Sequence, residues 1–205
     1  MPTVPVADGT LLLLDDSDPL RDCYSVPVAE PLGPSGLARF TERLRRAYVL
    51  LEEHPPERGR VHAVALTTVT PLAAGTGVRL GAHGLGAIGL AVDFEPEDLV
   101  RELPRAARLA RLRALRETAD LNVPGSRAGR LLDEASGELG NAAYWAGEAA
   151  EHTAALERAG RALDLLAARP AHELTATGAV LAEELRAELK QAASALPTSR
   201  SGHRD

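Results

Sequence analysis

Apolar residues recur at three- and four-residue spacing from about Gly36 to Glu53, where Leu37, Phe40, Leu44, Ala47, Tyr48 and Leu51 define one face. That periodicity predicts an amphipathic helix, with Ser35 as its N-cap and His54-Pro55-Pro56 as its stop. Further helical segments follow at about 95–118, 128–149, 151–168 and 175–195. The second opens on Glu95-Pro96-Glu97-Asp98, carboxylates suited to the positive end of a helix dipole, and Pro104 marks an expected break in it. Pro170 ends the fourth.

Between the first two helices the pattern changes. Val61 to Val69 is a short apolar run, compatible with helix or strand, and Pro71 follows it. Gly75, Gly77, Gly81, Gly84, Gly86 and Gly89 punctuate the next stretch, and Gly77–Leu80 with Ala87–Phe94 reads as a small β-hairpin. Leu11 to Leu14 has strand character, but the prolines from Pro2 to Pro34 exclude a long helix before residue 35. The expectation is one mainly α domain of about five helices with a small β-hairpin element. It comprises an extended segment 1–34, a helical domain 35–196 and a disordered polar tail 197–205.

Composition sharpens this. The chain has 205 residues, 45% hydrophobic and 25% charged, enough for one domain with a real core. Aromatic residues are only 3%, so Leu, Ala and Val must build that core. A formal charge of −6 gives no electrostatic reason to seek nucleic acid or an anionic membrane. No apolar run approaches the roughly 20 residues that span a bilayer, and no signal-peptide pattern is present. Cys23 is the only cysteine, which excludes an intrachain disulfide and fits a cytoplasmic protein; it reads as an incidental loop thiol.

Three motifs fail on inspection. Gly84-Leu85-Gly86-Ala87-Ile88-Gly89 matches a dinucleotide fingerprint, yet its glycines lead into a strand rather than a helix. The Leu11–Leu14 run with Asp15, Asp16 and Asp18 is similar to a phosphatase strand, but the only lysine, Lys190, lies in the last helix. No two of the six histidines fall at the i, i+4 spacing of a helical zinc site, so surface or capping roles are expected of them.

Several segments, in order, carry a resemblance. Asp18-Pro19-Leu20-Arg21-Asp22, a helix ending near His54-Pro55, Leu66 to Leu72, and Gly86 to Leu90 come first. Leu99-Val100, the Gly129–Trp145 helix ending in Tyr144-Trp145, and Leu174-Thr175-Ala176-Thr177-Gly178 follow. Together they resemble the actinobacterial domain family named for its HExxH motif. Members are 2-oxoglutarate- and iron-dependent peptide β-hydroxylases associated with ribosomally made, modified peptides.

The departures bear on function. Where the resemblance places His-Glu-x-x-His, this chain reads Arg101-Glu102-Leu103-Pro104-Arg105, and Glu138 stands at a later histidine position. Arginine stays protonated and offers a metal no lone pair. The resemblance therefore implies no metal, no cofactor and no hydroxylation by the family's mechanism. It implies instead a degenerate protein that binds a precursor peptide or supports a partner biosynthetic enzyme.

Two alternatives stand beside that. One is a metal-independent lyase or cyclase acting on dehydrated residues, with Glu102 or Glu138 as acid or base. The other is a structural subunit in a homo- or hetero-dimer. Candidate pocket residues are Arg101, Arg105, Arg108, Arg127 and Trp145. The family register turns Arg101 and Arg105 inward, toward an ion pair with Glu138, and Arg127 is expected to meet a carboxylate.

Overall fold

The computed structural model describes residues 3–5, 11–14, 24–53, 67–80 and 87–195. Among them the protein is mainly helical, with five α-helices and one sheet. The chain divides into two compact units, Met1–Ala119 and Asp120–Asp205, a boundary inside the segment read as one helical domain. Cys23, His54, His62, His83, His203 and the tail fall outside the described residues, as does the whole Asp18-Pro19-Leu20-Arg21-Asp22 stretch.

The first unit holds the sheet. Strands β1 (Thr3–Pro5), β2 (Leu11–Leu14), β3 (Thr68–Leu72), β4 (Val78–Leu80) and β5 (Ala87–Ala91) run in the order β1-β2-β3-β5-β4. The expected hairpin is the antiparallel pair β4/β5, with Leu80 opposite Ile88. It belongs to a larger mixed sheet, because β5 also pairs in parallel with β3, and β3 with β2. Helix α1 (Pro34–Glu53) lies in the chain between parallel strands β2 and β3, the long connection that parallel pairing needs. Four of the five residues in each of β3 and β5 are buried, as expected for strands inside a parallel sheet.

Pro71 sits within β3, where its missing N–H is tolerated because β2 pairs only with the Thr68–Val69 end. Beyond that end the Pro71 carbonyl accepts from the Ala29 amide at 3.0 Å, and Val28 bridges to Leu72. Gly89 is boxed in: a methyl carbon built on it would lie 2.7 Å from Leu72 Cδ1 and 2.9 Å from Tyr24 Cδ1. The glycine of the rejected dinucleotide motif is thus a sheet packing residue.

Helix α1 starts two residues earlier than its pattern suggests, at Pro34 rather than Gly36. Pro34 takes the first helical position, where a missing N–H is harmless, and the Leu37 amide donates to the Gly33 carbonyl at 2.9 Å. Ser35 is therefore inside the first turn rather than its cap. Phe40, Leu44, Ala47, Tyr48 and Leu51 are all buried, and Phe40 meets Phe94 edge-on at 5.6 Å. Helix α2 (Pro96–Arg116) packs on α1. It runs unbroken through Pro104, whose ring is buried on the core side; the cost is the one helical hydrogen bond Val100 would otherwise accept.

The second unit is built from α3 (Arg127–Tyr144), α4 (Ala149–Ala167), a 3-10 turn (Ala171–Glu173) and α5 (Ala176–Ser194). Helix α3 packs chiefly on α4, and α5 packs on both. Small residues make this possible: Ala128, Ala135, Ala142, Ala155, Ala159 and Ala162 are all buried. A clamp ties the start of the unit to α5. Asn122 bridges Leu174, the Val123 amide donates to the Glu173 carbonyl at 3.0 Å, and the Thr175 amide donates to Leu121 at 3.2 Å. Thr175 Oγ1 caps α5 by accepting from the Gly178 amide at 3.1 Å and donates to the Asp120 carbonyl at 2.5 Å.

Candidate functional site

One side of α2 forms the wall of a cleft of about 870 Å³ within the first unit. Arg101, Glu102, Arg105, Ala106, Leu109 and Arg113 line it at helical spacing. The opposite wall is the β3–β4 turn and the end of β5. Gly75 and Gly77, with φ of 75° and 69°, allow that turn, which Asp93 fixes by accepting from the Gly75 amide at 2.9 Å. Asp93, Glu95 and Asp98 add carboxylates to the lining, and Arg79 a further guanidinium. Four arginines thus share the cleft with four carboxylates, a lining without net charge.

Most of these charges are already engaged. Arg101 pairs with Asp98 at 3.7 Å, Glu95 with Arg43 at 4.0 Å, and Arg79 donates to the Val78 carbonyl at 2.8 Å. Arg105 is different. Its Nε is withdrawn from solvent and has no hydrogen-bond partner among the described residues.

The inward ion-pair cluster is corrected by these positions. The Arg101 side chain is 70% exposed. On α2 the core face is Leu99, Leu103, Ala106, Ala107 and Ala110, which lies roughly opposite Arg101 and Arg108 at about 100° per residue. Leucine and alanine gain from burial and guanidinium does not, so the apolar face turned in. Glu138 is buried at 7% exposure, but its acceptor contact is Arg158 of α4, with Nε 2.8 Å from Oε2.

The remaining candidates scatter. Arg108 is half-buried on α2 but is not part of the cleft lining. Arg127 is exposed at the first position of α3 and meets no carboxylate among the described residues. Trp145 caps the C-terminus of α3 and stacks edge-on against Tyr144 at 4.8 Å. His152, for which a surface or capping role is expected, is buried, and its Nδ1 lies 2.7 Å from the Ala142 carbonyl in the last turn of α3, a link between α3 and α4.

The helical pattern alone does not mark Arg79, Asp93 or Asp98 for the cleft, because they reach it from β4, from the turn after β5 and from the first turn of α2. The described His, Cys, Asp and Glu residues form no group of three or more that could hold a metal ion. With arginines at 101 and 105, the cleft residues do not fit the iron that the resemblance would otherwise imply.

Elsewhere in the second unit, the Arg169 guanidinium grips Glu173 through Nε at 3.1 and 3.2 Å and through Nη2. That hydrogen bonding holds the Glu173 carboxyl below its ordinary range and raises Arg169 above its own. No described helix is long and apolar enough to cross a membrane. No family model matches the chain and no curated protein matches its sequence.

Proposed function

We propose that this chain is a metal-free, degenerate relative of the HExxH-type peptide hydroxylases, and that it binds a precursor peptide in the cleft beside α2. One observation supports the reading: Arg101, Glu102 and Arg105, which the resemblance sets at the metal-binding motif, line the cleft of the first unit. A lining of mixed charge, open to solvent and interrupted by Ala106, Leu109 and Val78, suits a peptide chain better than a single small ion. The chemistry left at those positions is hydrogen bonding and charge pairing, which hold a substrate without transforming it.

The test is co-expression of the tagged full chain with each short peptide found encoded near its gene, followed by affinity purification and intact-mass analysis. The expected result is retention of the peptide with its mass unchanged. A mass change on the peptide would replace this reading with the metal-independent enzyme, for which Glu102 is the acid or base in the cleft. Recovery of a homologous protein with no peptide would replace it with the structural subunit.

A further inference from the structure

We infer that Arg105 is the anchor of the cleft and that its ligand is a carboxylate of the bound peptide; this rests on the peptide reading above. The starting point is the Nε–H of Arg105, withdrawn from solvent and without an acceptor among the described residues. A dry, unpaired donor is costly, and an acceptor brought into the cleft relieves that cost. In the planar guanidinium the Nε–H and the neighbouring Nη–H lie side by side on one edge, and no partner among the described residues meets that Nε–H. That edge matches the two oxygens of a carboxylate.

The surroundings select the anion. Arg101 lies 3.7 Å from Asp98 and Arg79 donates to a backbone carbonyl, whereas Arg105 is the arginine of the cleft whose Nε is both withdrawn from solvent and unmet among the described residues. Asp93, Glu95, Asp98 and Glu102 in the same lining repel a doubly charged phosphate more strongly than a singly charged carboxylate. A peptide offers carboxylates from two sources, an acidic side chain or its C-terminus.

The experiment follows the side-chain Nε–H resonance of Arg105 in the nitrogen-15-labelled full chain, assigned by its loss in Arg105→Lys. The probes are N-acetyl-glutamate α-amide, N-acetyl-alanine, N-acetyl-glutamine α-amide and inorganic phosphate. The first carries only a side-chain carboxylate, the second only a C-terminal one, and the third none. A saturable shift with the first or second probe, at least roughly tenfold weaker with the third and with phosphate, is expected.

Whichever carboxylate binds tighter identifies the source. Arg105→Lys, which keeps the charge but loses the fork, should weaken that binding by a similar factor while its thermal midpoint stays near wild type. Equal shifts from the neutral amide, stronger binding of phosphate, or no shift at all would overturn the inference. Carboxylate binding at Arg105 without retention of the co-expressed peptide would keep Arg105 as a carboxylate anchor and sink the peptide as its source. Peptide retention unaffected by Arg105→Lys would do the reverse.

Discussion

Adding one methyl group at Gly178 should cost more stability than any other small change in the second unit. A methyl carbon built there would lie 1.7 Å from the Leu121 carbonyl oxygen and 2.8 Å from its carbon. Ordinary contact begins near 3.4 Å, so α5 and the backbone at Leu121 must separate by more than an ångström. The obstacle is backbone on both sides, and no side chain can swing away. Separation would break the Thr175–Leu121 and Thr175–Asp120 hydrogen bonds that close the clamp.

At about 1 kcal/mol for each lost bond, together with overpacking of about 1–3 kcal/mol, Gly178→Ala should destabilise the fold by roughly 3 kcal/mol or more. Gly147→Ala is the control: nothing lies within 4 Å of the added carbon, and its φ is not left-handed. It should be neutral or stabilise by up to about 1 kcal/mol. Urea unfolding followed by circular dichroism measures both. A Gly178→Ala midpoint equal to that of wild type would refute the close approach and the clamp built on it.

Arg158→Ala should cost about 1–3 kcal/mol in urea unfolding by orphaning the buried Glu138 carboxylate, toward the lower end because Arg158 is 44% exposed and screened. No loss of stability would mean that the pair does not form. Tyr48→Phe should be as stable as wild type or more so. The hydroxyl is buried without a partner among the described residues, and that burial pushes its ionisation up; a large loss in thermal midpoint would contradict this.

For Glu173 the folded pKa lies below the unfolded one, so its pairing with Arg169 stabilises the protein above the unfolded value. That contribution disappears as pH falls through the folded value. Arg169→Met should therefore flatten the acid limb of a stability–pH profile, and an unchanged limb would argue against the pair.

Local pattern made much of the fold legible. The face read from Phe40 to Leu51 is the face buried on α1, and the strand read from Ala87 is β5. Leu174-Thr175-x-x-Gly178, noticed as a family-like segment, has a structural meaning of its own: a bridge, a cap and a glycine with no room for a side chain. What escaped was non-local. Parallel pairing of Leu13 with Thr68 joins segments that no short-range signal connects, so the local pattern shows the Leu11–Leu14 strand and the hairpin but not the sheet that unites them.

The site divides along the same line. Of the α2 residues in the cleft, Arg101, Glu102 and Arg105 are legible in the sequence as candidates, while Leu109 and Arg113 are not and Arg108 lies outside the lining; the partner of Glu138 is Arg158, twenty residues away on another helix. Register inherited from a resemblance pointed Arg101 inward, but the competition between apolar burial and guanidinium desolvation turned it out.

The central claim is that a peptide occupies the cleft beside α2, and hydrogen exchange of the full chain with and without the co-expressed peptide tests it most directly. Amides of the Gly75–Arg79 turn and of α2 from Asp98 to Arg113 should exchange more slowly in the complex, while those of α4 stay unchanged. Protection confined to α4, or none along α2 despite retained peptide, would contradict the account.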